Sequence, residues 1–138
     1  MLLAVWAGGL WTVGWAVPVL FANLQSVAAG NIAAQLFTYL SWGGLGCGMG
    51  LIALRICALP ADARPGRDWT LWALLLMVLL TAVGHFGIGA VMDDLRRQVA
   101  PLSISESSLR GRFGMLHGIS STLYLIQAVI ALVLVARR

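Results

Sequence analysis

The first charged side chain in this 138-residue sequence is Arg55. Two more charge-free runs follow, from Trp69 to Met92 and from Phe113 to Ala136. A bilayer core about 30 Å thick is crossed by about 20 apolar residues at about 1.5 Å per residue. Runs of that length exclude an ordinary water-soluble core. Soluble domains carry about 25% charged residues, whereas here 10% are charged and 60% are hydrophobic.

The runs resolve into four helices, about 2–22, 32–59, 69–92 and 113–136, in one membrane domain covering 1–138. Met1 to Phe21 lacks the basic leading segment of a signal peptide and has a longer apolar stretch, so it reads as a retained first helix. Pro18 inside it predicts a kink near Gly14. Asn23-Leu24-Gln25-Ser26 with Gly30-Asn31 reads as a polar turn. Residues 61–68 (ADARPGRD) mix Pro, Gly and charge, so they form a loop. Trp69 and Trp72 suit the membrane interface. Residues 93–112 form the longest polar stretch. Its DDLRRQV start can continue the third helix into water, and Ser103 with Glu106 fits a capping box ahead of a short surface helix. Short connections make successive helices antiparallel neighbours. The expected fold is all-α, an integral membrane four-helix bundle of antiparallel up-down topology.

All nine basic residues are Arg, and they flank the apolar runs. That placement is what headgroups select and argues against nucleic acid as a partner. Arg55, Arg64, Arg67, Arg137 and Arg138 lie on one side, and Arg96, Arg97, Arg110 and Arg112 on the other. This asymmetry leans toward both termini in the cytoplasm. Cys47 and Cys57, ten residues apart in one helix, are too distant for a disulfide within it.

Helix association in lipid depends on close packing through small residues. Gly44/Gly48 and Gly46/Gly50 in the second helix and Gly114/Gly118 in the fourth are GxxxG pairs, with Gly43 beside the first of them. Gly84, Gly87 and Gly89 punctuate the third helix. These faces serve packing within the bundle or a homo-oligomer.

Polar residues inside spans are costly unless partnered, so their pattern is informative. His117, Ser120, Ser121, Tyr124 and Gln127 recur at spacings of three and four, on one helical face. Gln35, Thr38, Tyr39 and Trp42 repeat the pattern in the second helix. Thr81 and His85 belong to the third, and Thr12 and Asn23 to the first. The expectation is that these stripes converge, making the half of the bundle next to the first and third loops polar. His85 and His117 approach the same membrane face.

Three readings of the cluster are open. The groups can satisfy one another and fix helix register. They can form a site for a small solute or ion, with His117, Ser120, Ser121, Tyr124, Gln35, Tyr39 and Asn23 as candidate ligand-binding residues. Or His85 and His117 can ligate a metal, as axial haem ligands or with soft donors such as Met49, Met92, Met115 and Cys47 suited to copper. No phosphate-binding loop, nucleophile elbow or intramembrane carboxylate pair is present, so familiar enzyme chemistry has no foothold.

Gly8-Gly9-Leu10-Trp11-Thr12-Val13-Gly14 with Pro18-Val19-Leu20-Phe21 resembles the first helix of the bacterial domain of unknown function 4149 family. Phe113-Gly-Met-Leu-His117-Gly-Ile-Ser-Ser121-Thr-Leu-Tyr-Leu125 resembles its last-helix signature, with His117, Gly118, Ser120, Ser121 and Tyr124 at matched positions. The family is similar to eukaryotic transmembrane protein 205 and, more remotely, to the copper-resistance protein D domain. The resemblance implies a small polytopic protein of the bacterial inner membrane and tilts expectation toward metal handling, but it implies no reaction. The remaining function class is an accessory subunit or assembly factor of a larger membrane complex.

Overall fold

The computed structural model describes residues 1–60, 66, 68–99 and 107–137. α1 is Leu2–Asn23 and α2 is Ser26–Cys57. The third span is continuous but composite. It comprises α3 (Trp69–Ala82), a π-helical segment (Val83–Gly89) and α4 (Ala90–Val99). α5 is Arg110–Ala136. All four spans are long and apolar enough to cross a membrane, and no strand occurs among the described residues. The chain is an all-α, four-helix membrane bundle. The helices form a ring in which α1 touches α2 and α5, and the third span touches the same two.

Two boundaries differ from the sequence expectation. α2 starts at Ser26, not Ile32, because the turn shrinks to the extended Leu24 and Gln25. Gly30 and Asn31 each cost a helix only about 0.5–1 kcal/mol, and burial of Ala29 and Ala33 on either side holds the extra turns. α5 starts at Arg110, slightly earlier than expected. Residues 93–99 are helical, as the DDLRRQV segment suggested. The Ser103/Glu106 capping box lies outside the described residues.

Asp68 organises the turn into α3. Its carboxylate accepts from the backbone N–H of Thr70 at 3.0 Å and from Arg55 Nε at 2.6 Å. The Arg55 bond is the main force holding the carboxyl below the usual aspartate range, helped by the cap and opposed by desolvation. Arg137 lies over the Trp69 ring, 5.2 Å from its centroid. Together these groups mark one membrane boundary.

The buried core sits against that boundary. Leu3, Trp6, Ala7 and Leu10 follow i, i+3, i+4, i+7 spacing and meet Leu51, Ala73, Leu74, Met77, Ala131 and Leu134. Trp6, 2% exposed, is seated on the Gly44/Gly48 pair. A Cβ on Gly44 would stand 2.5 Å from its indole Nε1, and one on Gly48 would strike Val78 and stand 3.0 Å from the indole. This GxxxG pair is a socket for one ring.

The other half of the bundle is different. From Trp11 to Asn23 no residue of α1 is buried, and from Arg110 to Ile126 none of α5 is. The π-helical segment likewise contributes no buried residue. Burial at that end is confined to Ala29 and Ala33 of α2 and Met92 and Leu95 of α4, so α1 and α5 are packed at one end and open, or splayed, at the other.

Candidate functional site

α5 passes through both regimes on one face. At 3.6 residues per turn, His117 falls within about 40° of Tyr124, Ala128 and Ala131. Ala128 and Ala131 are buried and Tyr124 half-buried, yet His117 is exposed. His117 thus continues the face that is buried further along the helix, but at its own level that face is exposed.

The floor of the open half is a set of interhelical hydrogen bonds. Tyr124 donates its hydroxyl to the Leu10 carbonyl of α1, lying against Gly14, where a Cβ would be 3.3 Å from the hydroxyl oxygen. The Phe37 ring of α2 meets the Tyr124 ring edge-on, with centroids 5.5 Å apart. One step deeper, Gln127 Nε2 donates to Thr81 Oγ1 and, at 3.3 Å, to the Met77 carbonyl. Gln127 and Thr81 are both buried. These polar groups serve bundle register, since buried side chains in lipid seek partners across helices.

Above the floor the accounting changes. Thr38, Ser41, Thr81 and Thr122 each donate to the carbonyl four residues back, at 2.7–2.9 Å. That local bond is how hydroxyls are made tolerable in membrane helices. Ser120 and Ser121 make no such bond, although both are half-buried within the span. His117 has only a ring contact, stacked with Phe113 at 6.3 Å between centroids. The His117-Gly-Ile-Ser-Ser121 segment therefore carries uncommitted donors and acceptors.

Depth places them within reach of water. Counting back from Ala136 at about 1.5 Å per residue, Ser121 is about 22 Å and His117 about 28 Å from the packed boundary of a ~30 Å core. His85, counted from Trp69, lies at about 24 Å. It is half-buried in the π-helical segment, edge-on to Trp42 (5.8 Å) and Phe86 (4.8 Å). The wide turn there brings the Gly84 carbonyl to 3.1 Å from where a Gly89 Cβ would be, so a side chain at 89 would crowd it. A cleft of ≈ 330 Å³ runs along this span past His85, Phe86, Ala90, Asp93, Asp94 and Arg97. At the packed end the opening between Leu3, Trp69, Leu74, Leu134 and Arg137 is ≈ 60 Å³.

The α2 stripe departs from its expected direction. Gln35 and Tyr39 are exposed, Tyr39 at 74%. They lie about 130–170° from the face formed by Ala29, Ala33, Gly44, Gly48 and Leu51. That face wins because its small residues admit Trp6 and pack against the neighbouring helices; only Thr38 of the expected polar set is half-buried. Asn23 is exposed and donates to the Val19 carbonyl at 2.8 Å, a local helix-end bond. Thr12 is exposed. Among the soft donors, Met49 and Met115 are exposed, Met92 is buried and Cys47 packs against the core. Among the described residues no three His, Cys, Asp or Glu side chains come together as a metal-binding group.

Two features escaped sequence reading. The π-helical segment had a signal in Gly84, Gly87 and Gly89. Arg110 also had one: it shares the face of His117, Ser121 and Tyr124, at steps of seven, four and three residues.

A ring of four membrane spans, closed at one end and lined by free polar groups at the other, defines a multi-pass membrane protein. The family model described as "Domain of unknown function (DUF4149)" matches residues 1–101, and the chain belongs to that family. The match covers the first three spans and stops before α5. No curated protein and no solved structure matches the chain. The likenesses to transmembrane protein 205 and the copper-resistance protein D domain are not confirmed by these comparisons.

Proposed function

We propose that the splayed half is a binding vestibule for a small solute, opening on the side of the first and third loops. The protein acts there as a binder or conduit and not as an enzyme. One observation carries this reading: unlike Thr38 and Ser41, the half-buried Ser120 and Ser121 have no hydrogen-bond partner among the described residues, and they stand beside the exposed His117 on α5. Leaving such groups unbonded in hydrocarbon costs free energy. Water or a solute offsets that cost. His117, Ser120 and Ser121 are the primary contacts, Tyr124 forms the floor and His85 flanks the cleft. With the protein in the bacterial inner membrane and its termini cytoplasmic, the vestibule faces the periplasm.

The test uses a cysteine-free background (Cys47→Ala, Cys57→Ser) carrying Ser121→Cys in phosphatidylcholine nanodiscs. A small, neutral, water-soluble thiosulfonate is expected to modify Ser121→Cys within minutes. Val129→Cys, on the lipid-facing side of the packed half, should resist it. Equal resistance at both positions would remove the vestibule. Elemental analysis and a visible spectrum of freshly isolated protein check the metal and haem form of the same reading, in which His85 and His117 are the ligands.

The outward face of α2 supports a second role. Gly43 and Gly46 have nothing within 4 Å of a built Cβ, and exposed Gln35 and Tyr39 share that side of the helix. Small and hydrogen-bonding residues together are what transmembrane association uses. A homo-oligomer through this face predicts a native mass that is a multiple of the 14.7 kDa chain; a lone monomer after gentle extraction would eliminate it.

A further inference from the structure

The charges around the vestibule point to the class of its solute, a step that rests on the reading just given. All the acidic residues are Asp62, Asp68, Asp93, Asp94 and Glu106, so no carboxylate lies within any of the apolar runs. A cation brought to the level of Ser121 would meet no counter-charge there, and the effective penalty for an uncompensated ion is several kcal/mol.

The mouth carries the opposite bias. Asp93 is engaged by Arg96 at 3.2 Å, and Asp94 accepts from Gln98 at 2.7 Å. Arg110 and Arg112, both exposed at the start of α5, have no side-chain partner among the described residues. Arg110 lies on the inward stripe above His117, Ser121 and Tyr124. Between Arg110 and His117 that stripe holds Gly114, with nothing within 4 Å of a built Cβ. The face thus reads, from mouth to floor, as a guanidinium, a gap, an imidazole, a hydroxyl and the Tyr124 ring. It is a run of donors on a helix that contains no carboxylate.

We infer that the vestibule takes a small oxyanion, a carboxylate or phosphate group, drawn in by Arg110 and Arg112 and held by the N–H of His117 and the hydroxyls of Ser120 and Ser121. Guanidinium groups favour such planar or tetrahedral oxygens, and a mouth where Arg96, Arg97, Arg110 and Arg112 outnumber Asp93 and Asp94 concentrates the matching ion. The oxyanion arrives either as a dissolved solute or as the headgroup of an anionic lipid.

The experiment compares anionic and cationic thiosulfonates of similar size on Ser121→Cys, in the cysteine-free background and phosphatidylcholine nanodiscs, with Ser120→Cys as a second reporter. The anionic reagent is expected to react faster by on the order of tenfold. Arg110→Gln with Arg112→Gln should bring the ratio close to one. A cationic preference, or a ratio indifferent to the two arginines, overturns the inference while leaving the vestibule standing; silence toward both charged reagents and the neutral one sinks the vestibule itself. Protection is then read with the neutral reagent. Slowing by inorganic phosphate or acetate assigns a dissolved anion, and slowing by phosphatidylglycerol in the disc assigns a headgroup. Protection by none of these overturns the oxyanion as ligand.

Discussion

α5 is one helix with two environments. Between Gln127 and Leu134 its inward residues are buried against α1 and α3, while between Arg110 and Tyr124 the same face is exposed or half-buried. The difference does not come from hydrophobic drive, since lipid is as apolar as the core. It comes from fit. At the packed end the Gly44/Gly48 socket lets Trp6 sit flush between helices. At the open end Gly114 and Gly118 have nothing within 4 Å of a built Cβ, so no ring sits against them. Small residues pull helices together only where a partner fills the space they leave. The comparison teaches that α5 is tightly packed at one depth of the bundle and carries polar side chains without helix-to-helix partners among the described residues at another.

The sharpest way to break this division is at Trp6. Trp6→Ala should cost about 3–5 kcal/mol, as for large core truncations whose sites collapse poorly. It would be read as lost thermal stability of the purified protein in detergent. Gly48→Val should fail similarly, because its side chain would meet Val78 and the indole at once. If Trp6→Ala unfolds no more easily than the native protein, the packed end is not what holds the bundle.

The hydrogen bonds of the floor come next. Gln127→Leu and Tyr124→Phe each remove an interhelical bond, to Thr81 with Met77 and to Leu10 respectively. Such bonds average about 0.6 kcal/mol in membrane proteins and reach about 1.7, so losses in that range are expected for each. The two sites bridge α5 to different helices and should add. Strong coupling in the double variant would show that floor and core move as one unit.

The Arg55–Asp68 pair separates the packed end from its surroundings through pH. The pairing holds the Asp68 carboxyl below its ordinary value of 3.8. A depressed acid contributes stability that is fully present above the unfolded value and is lost as pH falls through the folded one. Stability should therefore be flat from neutral pH down to about 4 and fall below it. The Arg55 side chain is 44% exposed, so the effect should stay under about 1 kcal/mol. Asp68→Asn should flatten the acid limb, and an unchanged limb would show that the pair contributes nothing.

The four spans were legible in the sequence because a bilayer imposes length and apolarity directly on the chain. Direction was legible where one stripe dominates a helix, as with Tyr124 and Gln127, whose hydrogen bonds reach α1 and α3. It was not legible in α2, where polar and small residues occupy different faces. Burial there follows Gly44 and Gly48 into contact with Trp6, leaving Gln35 and Tyr39 outside, and nothing local in α2 names Trp6 as the partner. The π-helical turn at Gly84–Gly89 was hidden for a related reason. Glycines permit it, but the packing of neighbouring spans decides whether the wider turn forms. Arg110 was overlooked because residues before Phe113 were assigned to the loop, although its spacing to His117 continues the stripe.

The smallest effect is the most discriminating. His117→Ala, Ser120→Ala and Ser121→Ala remove side chains that are exposed or half-buried and make no hydrogen bond within the protein. Surface-like substitutions of this kind shift stability by within about 0.5 kcal/mol, far less than at Trp6 on the same scale. Were these residues a register device, as Gln127 and Thr81 are, their loss would approach the cost expected of the floor. Thermal unfolding of the triple variant separates the two cases. A native-like midpoint, together with loss of oxyanion protection at a reporter Gly114→Cys on the same stripe, places them in binding, whereas a midpoint lowered as far as that of Gln127→Leu makes them structural. The measurement is decisive because both groups of residues lie on one helix in one lipid environment, and only their partners differ.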